Sequence, residues 1–245
     1  MKKIKNPNDI VEEFVRDYHG LFGDELISVV MYGSAVTHEY RPGVSDINMV
    51  IVVRDYSIKR IRSSIFPSRK WAKRKVTVPF FMTKEFITRS LDSYPIEFLD
   101  IQSNYRVLFG EDVFSQLDIK RDDLRLQCER ELRGISIHMR KEFIASGMNN
   151  RVLFQLLGAS LKKLMPVFRA ILKLGNKSVP NTKSDIIMAI EDQFNLGASA
   201  LSHAFELVRG KPAIGPLVEF FDTYVMALDS LIASIDSVTI ERTGT

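Results

Sequence analysis

Between Met31 and Val53 the chain sets Gly33-Ser34, then eleven intervening residues, then Asp46-Ile47-Asn48, which leads into the apolar run Met49 to Val53. These residue types suit a phosphate and its counter-ion. Glycine lacks a Cβ, so backbone can approach a phosphate closely there. Serine adds a hydroxyl and a backbone N–H, and at the start of a helix such donors favour an anion. Asp46 and Asn48 are two apart, and in a strand that spacing turns both side chains to one face. Two oxygen donors in one cleft are what a divalent cation requires. Asn48 is the weaker donor, because an amide oxygen can ligate a metal without offsetting its charge as a carboxylate does. Phosphoryl-type transfer needs chiefly charge neutralisation and in-line geometry, usually from divalent metals.

The elements that must position these residues follow from periodicity. Apolar residues recur at helical spacing from Asp9 to Phe22, with Asn8 or Asp9 as cap and Gly23 as stop. Ile27 to Tyr32 is a β-branched, apolar run and reads as a strand ending at the Gly33-Ser34 turn. A short helix is expected over Ala35 to Tyr40, broken by Arg41-Pro42-Gly43. Asn48 to Val53 is apolar on both alternations, as in a strand covered on both faces. Ser57 to Lys73 reads as a basic helix interrupted near Pro67. Val76 to Met82 is a third strand, and Pro79 puts it at an edge or interrupts its pairing. Thr83 caps a further helix, and Tyr105 to Phe109 is a fourth strand. These elements fill residues 1–118.

Residues 119–245 read as helical: Arg121 to Ser146, Arg151 to Leu174 with a kink at Pro166, Ser184 to Phe194, Ala198 to Arg209, and the apolar Ile214 to Ser237. Helices of this length suggest an antiparallel bundle. The apolar last helix leaves room for packing across a homodimer axis.

Composition narrows the classes. Thirty-four basic against 30 acidic residues give a net charge of +4, too mild to favour a general nucleic-acid binder. A single cysteine, Cys128, excludes an intramolecular disulfide and a cysteine-based zinc site. No apolar run of about 18 residues suggests a membrane span, and no signal-length apolar stretch follows the basic N-terminus, so a cytoplasmic location is expected. The basic stretch Lys59 to Lys75, around Phe66 and Trp71, reads first as a solvated helix with snorkelling side chains. His38 lies near the glycine turn as a loop histidine. Arg133 and His138 sit five apart on one helix and diverge by more than a turn.

The strand, Gly33-Ser34, the Pro42-Gly43 loop, Ser45-Asp46 and the second strand come in the order and spacing of the polymerase-β-type nucleotidyltransferase superfamily, which this segment resembles. Tyr94-Pro95-Ile96-Glu97-Phe98-Leu99-Asp100, followed by Leu108-Phe109-Gly110-Glu111-Asp112, resembles bacterial members that carry a helical C-terminal domain. Aminoglycoside nucleotidyltransferases share that plan. The resemblance implies an α+β fold: a mixed sheet with flanking helices over 1–118, then an all-α helical bundle over 119–245. It implies Gly33 and Ser34 on the triphosphate, and Asp46 and Asn48 as catalytic metal ligands, with Mg²⁺ and an NTP, ATP foremost, as cofactors. The activity it implies is transfer of a nucleoside monophosphate to an unknown hydroxyl acceptor, small molecule or macromolecule.

Two departures weaken that expectation. The second carboxylate is Asn48. The strand beside it, where the family carries a third, has no acid between Val76 and Met82, and Glu85, Glu97 and Asp100 are the nearest in sequence. The alternative is a catalytically inactive nucleotide-binding or scaffolding protein of the same fold.

Overall fold

The computed structural model describes residues 4–212 and 215–236. It contains two compact units, Met1–Ile119 and Lys120–Thr245.

In the first unit, Asn6 accepts from the Asn8 N–H and caps a 3₁₀ turn, Pro7–Ile10, that runs into α1, Val11–Phe22. The cap thus falls earlier than Asn8 or Asp9, because Pro7 opens the turn and has no N–H of its own to satisfy. Gly23, at φ +52°, ends α1. The sheet has four strands in the order β3-β2-β1-β4. Its members are β1 Leu26–Tyr32, β2 Asn48–Val53, β3 Phe80–Met82 and β4 Tyr105–Gly110. β1 pairs antiparallel with both β2 and β4, whereas β2 and β3 run parallel, so the sheet is mixed.

β2 alternates between two cores. Met49, Ile51 and Val53 join Phe14, Tyr18 and Phe22 of α1 and Trp71 on one face. Val50 and Val52 join Val30, Ile87, Phe98 and Ile101 on the other. That double burial is why β2 is apolar at every position from Met49 to Val53. Asn48, in register with Tyr32, belongs to the second face at the strand's open end.

The basic stretch forms two short helices, α2 Ile58–Ile61 and α3 Ile65–Ala72, joined by a 3₁₀ turn at Arg62–Ser64. The break precedes Pro67, which sits in the first turn of α3, where a missing N–H costs nothing. The basic side chains are partly spent inside the unit. Lys70 pairs with Glu13 and Asp17, Arg74 with Glu13, and Arg60 with Glu25. β3 is shorter than Val76 to Met82. Val76 makes only an isolated parallel bridge to Ile47, and Pro79 interrupts the ladder between that bridge and Phe80. Thr83 accepts from the Phe86 N–H and caps α4, Lys84–Arg89. α5, Pro95–Ser103, has no counterpart in the periodicity reading.

Among the described residues the second unit packs the α-helices α6 Arg121–Ser146, α7 Asn150–Leu174, α8 Lys183–Phe194, α9 Ala200–Val208 and α10 Leu217–Asp236. Ile214 and Ser237, the expected ends of the last helix, lie outside the described residues. α7 is the apolar centre, burying Leu153, Leu157, Leu161, Leu164, Phe168 and Ile171, and it runs through Pro166 unbroken. Ser160 and the buried Tyr224 hydroxyl lie 2.8 Å apart between α7 and α10. Glu191 accepts from the N–H groups of Leu201 (2.8 Å) and Ser202 (3.0 Å) at the start of α9. Cys128 is buried in α6, and burial, with Glu131 nearby, pushes its thiol up to about 12. Among the described residues no helix is long and apolar enough to cross a membrane.

Candidate functional site

Gly33 and Asn48 are neighbours in space. The β1–β2 register places Tyr32 opposite Asn48, so the residue after β1 turns beside the first residue of β2. A Cβ built on Gly33 would stand 3.4 Å from the Asn48 amide nitrogen, and φ at Gly33 is +74°, a conformation L side chains rarely adopt. The Gly33 N–H is already given to the Asn104 carbonyl at 2.8 Å, so its contribution is space and not a donor.

Gly33–Val36 is a single 3₁₀ turn, in place of the helix expected over Ala35 to Tyr40. The Ser34 carbonyl accepts the Thr37 N–H (3.1 Å) and hydroxyl (3.2 Å), which closes the turn after one step. Four residues carry no useful helix dipole, so Ser34 has only its own groups to offer an anion. His38 is exposed just beyond the turn.

Ile47 is fully buried in the α1-side core, and its bridge to Val76 fixes the local strand. Asp46 and Asn48 flank it, so alternation turns both away from that core to the Gly33 side. Asp46 is half exposed, as is Lys75, and the Lys75 ammonium lies 3.9 Å from the carboxylate. Lys75 sits at φ +68°, in the left-handed region uncommon for a non-glycine residue. Local bonds hold it there: its carbonyl accepts the Ile47 N–H at 2.8 Å, and the next N–H, of Val76, reaches the Trp71 carbonyl at 3.2 Å.

Thr77 meets this strand end from the segment between the Val76 bridge and β3. Its hydroxyl lies 3.2 Å from Asn48 Oδ1 and 3.3 Å from the Ile47 carbonyl, one proton serving two acceptors. With Oδ1 engaged there, the Asn48 amide nitrogen faces the glycine turn.

Of the acids further along, Glu85 pairs with Arg89 at 3.0 Å on α4. Asp100 comes nearer. The Tyr32 phenol is pushed far above its ordinary range first by burial and then by the negative charge of Asp100. Arg106 hydrogen-bonds Asn8. Arg133 and His138 face separate acids, Glu129 and Glu142. Periodicity did not single out Lys75, Thr77 or Tyr32. Thr77 was legible only as the polar alternate in an apolar run beside β2.

Two-metal centres are bridged by carboxylates. Here Asp46 faces an ammonium, and position 48 is a neutral amide with its oxygen engaged. Among the described residues no three His, Cys, Asp or Glu side chains group to hold a metal.

No family model and no curated protein matches the sequence. Among solved structures, spectinomycin adenyltransferase from Enterococcus faecialis, with ATP and spectinomycin, aligns over 94% of this chain and 98% of that one. The TM-score is 0.58 and the identity 13%. A nucleotidyltransferase-like protein from Exiguobacterium sibiricum aligns over 92% of this chain and 74% of that one, with 11% identity and a TM-score of 0.39. At such identity the likeness is one of fold, and it rests on the first of these. The mixed sheet with flanking helices, followed among the described residues by the helices from Arg121 to Asp236, is a nucleotidyltransferase-like α+β fold.

Proposed function

We propose that this chain binds a nucleoside triphosphate, ATP foremost, with its phosphates against the Gly33-Ser34 turn and the Asp46–Asn48 strand end. In this reading it serves as a nucleotide-binding protein and does not complete two-metal nucleotidyl transfer. One observation carries the second half. The position that should hold the second carboxylate is an amide whose oxygen is engaged by Thr77, beside an acid already facing Lys75. A neutral ligand cannot offset the charge of a second cation, so the site lacks the anions that transfer chemistry of this kind requires.

The test is calorimetric titration with each of the four NTPs, paired with a pyrophosphate-release assay. Saturable binding without release is the expected outcome. Absence of saturable binding at millimolar nucleotide ends the proposal.

A second reading, transfer of a nucleoside monophosphate with Mg²⁺ to a hydroxyl acceptor, draws support from one fact. The fold likeness to spectinomycin adenyltransferase runs through nearly the whole of both chains, helical half included. Pyrophosphate release matched by a nucleotidylated, hydroxyl-bearing acceptor would replace the first reading with this one.

A further inference from the structure

We infer that the pocket wall has exchanged a metal site for a direct anion site: the Asn48 amide and the Lys75 ammonium hold the triphosphate without a divalent cation. The inference rests on the nucleotide-binding reading and states how that binding is achieved.

A carboxylate at position 48 would present only acceptor oxygens, which repel phosphate unless a cation lies between. An amide has one oxygen and two N–H donors. Thr77 occupies the oxygen side at 3.2 Å. The nitrogen is thereby left toward the glycine turn, 3.4 Å from where a Cβ of residue 33 would stand. The wall thus turns a donor to the place where a metal ligand would turn an acceptor. Thr77 is the positioning residue, since the opposite amide orientation would set the oxygen against the phosphate.

Lys75 supplies the charge. Its ammonium is 3.9 Å from the Asp46 carboxylate. The left-handed backbone that brings it there is kept by hydrogen bonds to Ile47 and around Trp71. A non-glycine residue persists in that region only where its surroundings over-determine it. An ammonium facing the Asp46 carboxylate leaves less charge there for a divalent cation to meet. It offers a phosphate a charge-assisted donor instead.

The experiment measures ATP affinity of the full chain in excess EDTA and in excess Mg²⁺. The expected result is equal affinity, within about twofold, in both conditions. Asn48→Asp should reverse this, weakening ATP binding in EDTA by about tenfold or more and restoring it when Mg²⁺ is added. Lys75→Met should weaken metal-free binding to a similar degree, with Lys75→Arg recovering most of it. Thr77→Val should lower affinity in EDTA more than in Mg²⁺, a difference that a purely structural role would not produce.

Circular dichroism and the fluorescence of Trp71 report whether each variant is folded. The Lys75 pair carries the test if the Asn48 variant is not. Binding that appears only with Mg²⁺ overturns the inference and leaves the nucleotide reading standing. Binding in neither condition removes the reading and the inference together.

Discussion

Gly33 shows how much of this site is decided by a single missing methyl group. Its φ of +74° and the amide 3.4 Å from a would-be Cβ act together. Gly33→Ala should destabilise the first unit by about 1–2 kcal/mol through the left-handed backbone. It should weaken ATP binding further by moving the Asn48 amide. Thermal unfolding and ATP titration of the same variant separate the two effects, and unchanged values in both would remove Gly33 from the account. At this scale the sequence was partly legible. Gly33, Ser34, Asp46 and Asn48 announced themselves by type and spacing. Thr77 and Lys75 did not, because their nearness to Asp46 and Asn48 depends on a parallel bridge between Ile47 and Val76, a tertiary pairing that no local pattern encodes.

Elements are held by a few polar contacts whose removal has defined costs. Glu191 takes two N–H groups and the Ser202 hydroxyl at the start of α9, where four N–H donors have no partner within the helix. Glu191→Ala should therefore cost about 2 kcal/mol in chemical denaturation, since the charged acceptor is largely buried. A loss below a few tenths of that would show the cap to be replaced by water. In the first unit, Glu13 bridges Lys70 and Arg74 and so fastens α1 to α3. Hydrogen bonds from Lys70 and then Arg74 lower the Glu13 carboxyl below 4.5. The hydrogen bonds that Lys70 gives to Asp17 and then to Glu13 raise it above 10.5.

The Glu13 contribution is thus complete above pH 4.5 and lost as pH falls through its lowered value. The Lys70 contribution is complete below pH 10.5 and lost as pH rises through its raised one. Both groups are more than a third exposed, so each pair is worth about 0.2–1 kcal/mol. Glu13→Gln should flatten the acid side of a plot of melting temperature against pH and shrink the alkaline side only in part, since Asp17, the larger cause of the raised Lys70, remains. β2 and α6 were readable to the residue because β2 is apolar on both alternations and α6 has sustained periodicity. The division of Ser57 to Lys73 was not. Its turn at Arg62–Ser64 is set by packing that buries Ser64, Ser68 and Trp71, with no breaker residue at the break itself.

For the whole molecule, the useful fact is that the sole tryptophan, Trp71, lies in the first unit, one short turn before Lys75. Its fluorescence follows the unit that carries the candidate site. A ligand that binds only the folded form stabilises it by mass action, so ATP at about 100 times its Kd should raise stability read at Trp71 by about 2.7 kcal/mol. The α+β plan and its helical half were legible from element order. The chemistry was less so, because it turns on which way one amide points. The most direct measurement is a crystal soaked with ATP and Mn²⁺ and recorded at the manganese edge. Triphosphate density against Gly33-Ser34 is expected, with the Asn48 amide nitrogen in hydrogen-bonding reach and no manganese pair at the strand end. Two anomalous peaks about 4 Å apart, bridged by Asp46, would contradict that expectation.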